Sequence, residues 1–186
     1  MNWFTRLFKR ENMKPVIDDT TVIERLMLNE GCRLKSYYDT KHKLTIGIGH
    51  NLDDNPLTEE ELCYIGHDCR SKFISNDQAI YLCKNDLKKV RADLDRELPW
   101  WHDLTVDRQF ALIDMCFNMG IGKKGGNNGL LSFKNTLNFL AQGYYEKAAK
   151  NVMQSKYAKD VGIRAKRNAY AIKTGVWVPN PPKEII

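Results

Sequence analysis

Long apolar runs are missing from this 186-residue chain: no stretch approaches the roughly 20 consecutive apolar residues that a membrane span requires. Cysteine is sparse and odd in number. The five thiols (Cys32, Cys63, Cys69, Cys83 and Cys116) contain no CxxC pair, which argues against a disulfide framework and suits synthesis in a reducing cytosol. Cys63-x3-His67-x-Cys69 with Cys83 matches none of the common zinc spacings, so these cysteines read as small buried hydrophobes rather than metal ligands. Internal repeats and low-complexity tracts are absent, which excludes solenoid and fibrous architectures. A basic arm is absent too. The 29 Lys and Arg residues are interleaved with 23 acids, unlike the clustered charge of a nucleic-acid binder. The opening segment, Met1 to Arg10, lacks the uninterrupted apolar core of a secretory signal.

What is present is an ordinary soluble composition, 42% apolar and 28% charged, long enough for one domain or one domain with two lobes. The net charge of +6 points to a polyanionic partner: nucleic acid, an anionic membrane surface, or a wall polymer bearing carboxylates. Charge alone does not choose among them. Trp3, Phe4, Leu7 and Phe8 fall at helical spacing, with Arg6, Lys9 and Arg10 between them. That pattern fits a short interfacial helix on anionic lipid or a strap packed on the body. About 10 residues offer little binding area, which favours the strap.

Along the chain, Thr21-Val22-Ile23-Glu24 has the capping-box form and predicts a helix from Thr20 or Thr21. Val22, Ile23, Leu26 and Met27 mark its buried face, and Gly31 is its natural left-handed C-cap. Glu30 then falls in the last turn, where the carbonyl end of the helix dipole disfavours a carboxylate's charge. Leu44 to His50 alternates, Leu44, Ile46 and Ile48 on one face and Thr45, Gly47 and Gly49 on the other. With residues 40–44 as the loop, a β-hairpin sets Asp39 directly opposite Thr45, beside a strip of strand left bare by its glycines. A second capping box, Ser75 to Gln78, opens a helix that runs to about Glu97, ahead of Pro99. Its stripe of Ile80, Cys83, Leu87, Val90 and Leu94 suits a spine joining a small first lobe to a larger second one. From Thr105 the pattern is helical, through Phe110 to Phe117, Phe133 to Leu140, Tyr145 to Met153, and Arg164 to Thr174. Gly120 to Gly129 lacks the Gly-Lys-Ser/Thr of a phosphate-binding loop and reads as a flexible lip on a cleft. The tail beyond Trp177, with Pro179, Pro181 and Pro182, reads as irregular.

Residues 30 to 50 carry the chemistry. Glu30 at a helix end and Asp39 at an exposed hairpin are two carboxylates in environments that separate their protonation. Cleaving a glycosidic bond needs that pair: one protonated to assist the leaving oxygen, the other ionised to act on the opposite face of the sugar.

The run Glu30-Gly31-Cys32-Arg33-Leu34-Lys35, then Tyr38-Asp39-Thr40 and Thr45-Ile46-Gly47-Ile48-Gly49-His50, resembles the lysozymes of T-even bacteriophages and their family, with the spacing Glu-x8-Asp-x5-Thr. Ala111 to Gly120 resembles the family's central helix. Arg164 to Arg167, with Thr174 to Trp177, resembles its C-terminal signature. The likeness spans about residues 20 to 178. It implies an α+β, mostly helical fold: a small N-terminal lobe with a β-hairpin and a larger all-helical C-terminal lobe, joined by a long helix. The corresponding division is an extension over 1–18, a lysozyme domain over 19–178 (lobes about 19–75 and 98–178, linking helix about 76–97), and a tail over 179–186.

The resemblance also implies roles. Glu30 is the general acid, Asp39 stabilises the oxocarbenium-like transition state and positions water, and Thr45 helps hold that water, as in an inverting mechanism. Arg164 pairs with Glu30, and His50 is structural. Asn118 and Phe133 correspond to substrate contacts, against the alternative of plain helix packing. The expected substrate is bacterial peptidoglycan, with no cofactor, no metal and no nucleic acid, acted on by a monomer. Contact of residues 1–10 with an anionic membrane is a further partner reading. The expected location is the host cytoplasm after synthesis, then the wall once the membrane is breached. A lytic transglycosylase, or a wall- or membrane-binding protein acting without hydrolysis, are the competing readings; Asp39 and Thr45 would be superfluous in the first.

Overall fold

A computed structural model describes residues 15–40 and 42–182. The amphipathic segment 1–10 lies outside the described residues. The architecture is α+β and helix-dominated, as the sequence predicts, with one small antiparallel sheet and eight α-helices among the described residues.

Helix α1 spans Asp19–Glu30 and starts earlier than the Thr21 box implies. The cap is Asp18: its carboxylate accepts from the Thr21 N–H at 2.9 Å and from the Thr21 hydroxyl at 2.7 Å. An ionised side chain at the N-terminus satisfies a free donor and complements the helix dipole together, so it outcompetes the hydroxyl one turn later. Val22, Ile23 and Leu26 are buried, whereas Met27, at the edge of the stripe, is exposed. Gly31 closes the helix with φ +71°, its N–H donating to the Met27 carbonyl.

Strands β1 (Arg33–Tyr38), β2 (Leu44–Gly47) and β3 (His50–Asn51) form a three-stranded sheet in that order. Thr45 pairs with Tyr37 and Leu44 with Tyr38. Asp39 therefore belongs to the turn, not opposite Thr45 as predicted. The alternating run also does not continue to His50. Gly47 and Gly49 both adopt positive φ (+66° and +75°), so the chain turns about Ile48 and returns as β3. Ile46 and Ile48, expected on one face, consequently enter two different cores. The glycine strip is not bare either. A Cβ on Gly47 would lie 3.2 Å from the Ala79 Cβ, and one on Gly49 would lie 3.3 Å from Phe117.

Helix α2 (Glu59–Ile65) is capped reciprocally by Thr58 and Glu61. Helix α3 (Asn76–Glu97) opens on the predicted box of Ser75 and Gln78 and ends at Leu98, before Pro99. Its 22 residues, about 33 Å long, carry Ala79 and Leu82 into a small core with Ile46, Leu52 and Ile74. Cys83, Leu87 and Leu94, from the same helix, enter the large core.

That large core surrounds α4 (Val106–Met119), in which Phe110, Ala111, Leu112, Ile113 and Met115 are all buried. Helices α5 (Lys134–Ala141), α6 (Tyr145–Met153), α7 (Lys156–Val161) and α8 (Ile163–Thr174) pack around it. The loop after α4 is closed at its base, because Leu130 and Leu131 N–H groups donate to the Gly120 and Ile121 carbonyls. Ile17 and Asp18, placed by sequence in the extension, belong to the body. Ile17 is buried, and its N–H donates to the Gln109 side chain of α4 at 3.1 Å.

Candidate active site

A cleft of about 730 Å³ runs between the sheet, α3 and the C-terminal end of α4. Glu30, Asp39, Thr45 and Asn118 all line it.

Glu30 reaches the cleft because α1 ends there, and its side chain lies beside Gly49. A Cβ on Gly49 would sit 3.4 Å from the Glu30 carboxyl carbon. The side chain is 22% exposed and accepts a hydrogen bond from Arg164 Nη1. Arg164, on α8, is itself almost fully buried. Its Nε and Nη2 both donate to the Asp114 carboxylate of α4 at 2.9 Å. Burial alone would lower the Arg164 pKa, but the carboxylates of Asp114 and Glu30 outweigh it and hold the guanidinium above its ordinary value.

Asp39 is placed by the turn. Its N–H donates to the Lys43 carbonyl at 2.9 Å, and its Oδ1 accepts from the Lys43 N–H at 2.8 Å. His42 adopts a positive φ of +57° to close that turn. Thr45 is nearly buried, and its hydroxyl donates to the Lys43 carbonyl at 3.1 Å. With its proton committed there, its oxygen can accept a hydrogen bond from a water. Tyr37 lines the same cleft, with the Arg33 guanidinium over its ring at 4.3 Å. Burial pushes the Tyr37 phenol pKa up, and Glu30 adds to the rise.

Asn118 marks the junction with a second cavity of about 700 Å³, which shares Thr40 and Met119 with the first. Phe133 lines only this second cavity, edge-on to Tyr157 at 6.0 Å, and does not meet the acids. His50 lies behind the cleft, 1% exposed, its Nδ1 bonded to Asp86 at 2.8 Å. Asp86 also accepts from Asn55 at 2.7 Å, and both residues line the cleft. The structure thus gathers Glu30, Asp39, Thr45 and Asn118 in one cleft, sets Arg164 against Glu30 and His50 against Asp86, and leaves Phe133 in the adjoining cavity.

Asp114 and its companions Asn29 and Asn168 were missed by sequence reasoning. A single acid inside the apolar run from Phe110 to Phe117 was the available signal, since a charge there must find a partner. Cys63 is exposed while Cys69 and Cys83 are buried. Among the described residues, no group of His, Cys, Asp and Glu is arranged to hold a metal ion.

Residues 28–170 match the phage lysozyme family. The pre-baseplate central spike protein Gp5 of Enterobacteria phage T4 is 30% identical over 166 residues, covering 83% of this chain. The chain spans only 28% of that protein's length. Probable T4-type lysozyme 1 of Dictyostelium discoideum is 27% identical over 170 residues, 84% of this chain and 95% of its own length. Probable T4-type lysozyme 2 of the same organism is 24% identical over 164 residues, 82% and 93% of the two lengths. With the match running from the end of α1 into α8, over most of the residues that build the cleft, the chain belongs to the phage lysozyme family.

Proposed function

We propose that this protein is a muramidase that hydrolyses the β-1,4 bond between N-acetylmuramic acid and N-acetylglucosamine in peptidoglycan. The observation that carries the reading is the sharing of one cleft by Glu30, at the end of α1, and by Asp39 and Thr45, both hydrogen-bonded to the Lys43 backbone. Glu30 donates its proton to the glycosidic oxygen as the C1–O bond breaks and the electron pair leaves with the oxygen. The Asp39 carboxylate stabilises the positive charge that develops on the ring. It also takes a proton from a water that Thr45 orients through its free lone pairs. Attack by that water on the face opposite the leaving group makes the reaction inverting.

The same reading makes the protein an endolysin: a monomer released at the end of phage infection, made in the host cytoplasm and acting on the wall after a membrane lesion. Residues 1–10 would contribute contact with an anionic membrane. Two lobes, about 19–75 and 98–178, would close on the glycan across α3.

The test is digestion of purified Gram-negative peptidoglycan by wild type and Glu30→Gln, with fragments read by mass spectrometry. Reducing muramic-acid ends from wild type alone are expected. Ends of 1,6-anhydro type would move the protein to the lytic transglycosylases, and no fragments from either protein would sink the hydrolytic reading.

A further inference from the structure

We propose that Asp114 is a positioning residue for Glu30, acting through Arg164: it holds the guanidinium in a fixed fork aimed at Glu30 and offsets its charge beside that acid. The inference rests on the muramidase reading, in which Glu30 is the acid.

The geometry is specific. Asp114 is fully buried, and its two oxygens accept four hydrogen bonds. Oδ2 takes the Arg164 Nε–H at 2.9 Å and the Asn168 amide at 2.6 Å. Oδ1 takes the Arg164 Nη2–H and the Asn29 amide, both at 2.9 Å. The backbone carbonyl of Asp114 accepts a further Nη2–H bond at 3.2 Å. Three N–H groups of one guanidinium are thereby committed to a single residue of α4, and the Nη1 edge is left aimed at Glu30. A fork held in this way does not follow the glutamate when its protonation changes.

The charge argument runs in parallel. An arginine beside a general acid favours the acid's ionised form, which is useless for protonating a leaving group. Asp114 supplies the compensating negative charge in a fully buried position, where water screens it least. Among the described residues, titratable groups that follow Glu30 in the chain, share its cleft or act with it include Cys32 just after α1, Arg33 and Tyr37 from β1, Asp39 and Lys43 from the turn, Cys83 and Asp86 from α3, Cys116 and Asp114 from α4, Tyr157 from α7 and Arg164 from α8. Of these, only Arg164 is hydrogen-bonded to both carboxylates.

The experiment compares pH profiles of wall hydrolysis for wild type and Asp114→Asn, whose amide preserves shape while removing charge. The high-pH limb of kcat is expected to move to lower pH by about one unit in the variant, the scale of a single neighbouring charge. KM should stay within about twofold, because Asp114 does not touch the glycan. A folded variant whose limb stays where it is in wild type overturns the proposal. Inactive wild type would instead sink the muramidase reading, so the two failures are distinguishable. Should Asp114→Asn not fold, exchange of the Arg164 Nε–H can be followed by NMR in wild type and Glu30→Gln. Equal protection in both is expected if Asp114 is the anchor. Loss of protection in Glu30→Gln would mean that Glu30 anchors the guanidinium, and would overturn the proposal.

Discussion

Gly49 is where a single methyl group would be felt most directly. Its φ of +75° is costly for any residue with a Cβ, by about 1–2 kcal/mol. The added carbon would also crowd Phe117 at 3.3 Å, with the Glu30 carboxyl carbon in ordinary contact at 3.4 Å. Gly49→Ala is therefore expected to lower kcat by about tenfold or more through a backbone shift beside the acid, alongside a modest loss of Tm. A variant that loses stability with kcat unchanged would show that Glu30 tolerates the shift. At Thr45 the relevant atom is the hydroxyl oxygen. Thr45→Val keeps the shape and removes the acceptor, so kcat should fall about 10²-fold while KM changes little. Steady-state kinetics on soluble wall fragments would separate the two parameters.

At the scale of elements, caps decide where helices begin. Asp18 sets the start of α1 and so the position at which that helix runs out, at Glu30. Asp18→Ala should lower the denaturant midpoint of unfolding by removing the N-cap. Glu61, which caps α2 with Thr58, adds a pH dependence of known sign. Burial alone would raise its pKa, but hydrogen bonds from the Thr58 backbone, the Asn85 amide and the Thr58 hydroxyl, with His50 nearby, hold it below the ordinary glutamate value. Because the folded value is depressed, the stabilisation is present above the unfolded value near 4.3 and is lost as the pH falls through the lower folded one. Glu61→Gln is thus expected to be less stable than wild type at pH 7 by about 1–3 kcal/mol, with the gap closing below about pH 4. Urea melts at pH 7 and pH 3 would check this; a gap independent of pH would mean that the ionised form contributes nothing.

For the whole molecule, the excess of six positive charges acts at long range. If the substrate is the anionic wall, raising ionic strength beyond about 0.1 M, where the screening length is about 10 Å, should weaken association. KM for intact wall would rise while kcat on short neutral fragments stays constant. The extension also has a tertiary boundary. Ile17 is tied to Gln109 of α4 and to Arg91 of α3, whose guanidinium donates to the Ile17 carbonyl at 2.7 Å. Removal of residues 1–14 is expected to spare hydrolysis of purified wall, whereas removal through Asp18 should lower Tm by stripping both the tie and the α1 cap.

Much of this fold was legible because helices announce themselves locally. Ser75 with Gln78, the apolar stripe to Leu94 and the following Pro99 delimit α3 without reference to anything distant. Glu30 at a helix end was equally readable, since Gly31 stops α1 whatever packs against it. The sheet was harder. The alternation from Leu44 to His50 is compatible with one continuous strand, and only the packing of Gly47 on Ala79 and of Gly49 on Phe117 turns it into two strands facing two cores. The spacing of Glu30, Asp39 and Thr45 was written in the sequence, but not the register that moves Asp39 into the turn.

The sequence by itself determined the long capped helices, the net charge and the spacing of Glu30, Asp39 and Thr45, because each is written in the residues themselves or in neighbours a few residues away. Only the tertiary structure decided which side chains meet. Arg164 lies 134 residues from Glu30 and 50 from Asp114, and no local rule joins the three. They are brought together because burying the apolar face of α8 against α4 leaves one guanidinium inside, where it must find carboxylates or pay the cost of an unpaired charge.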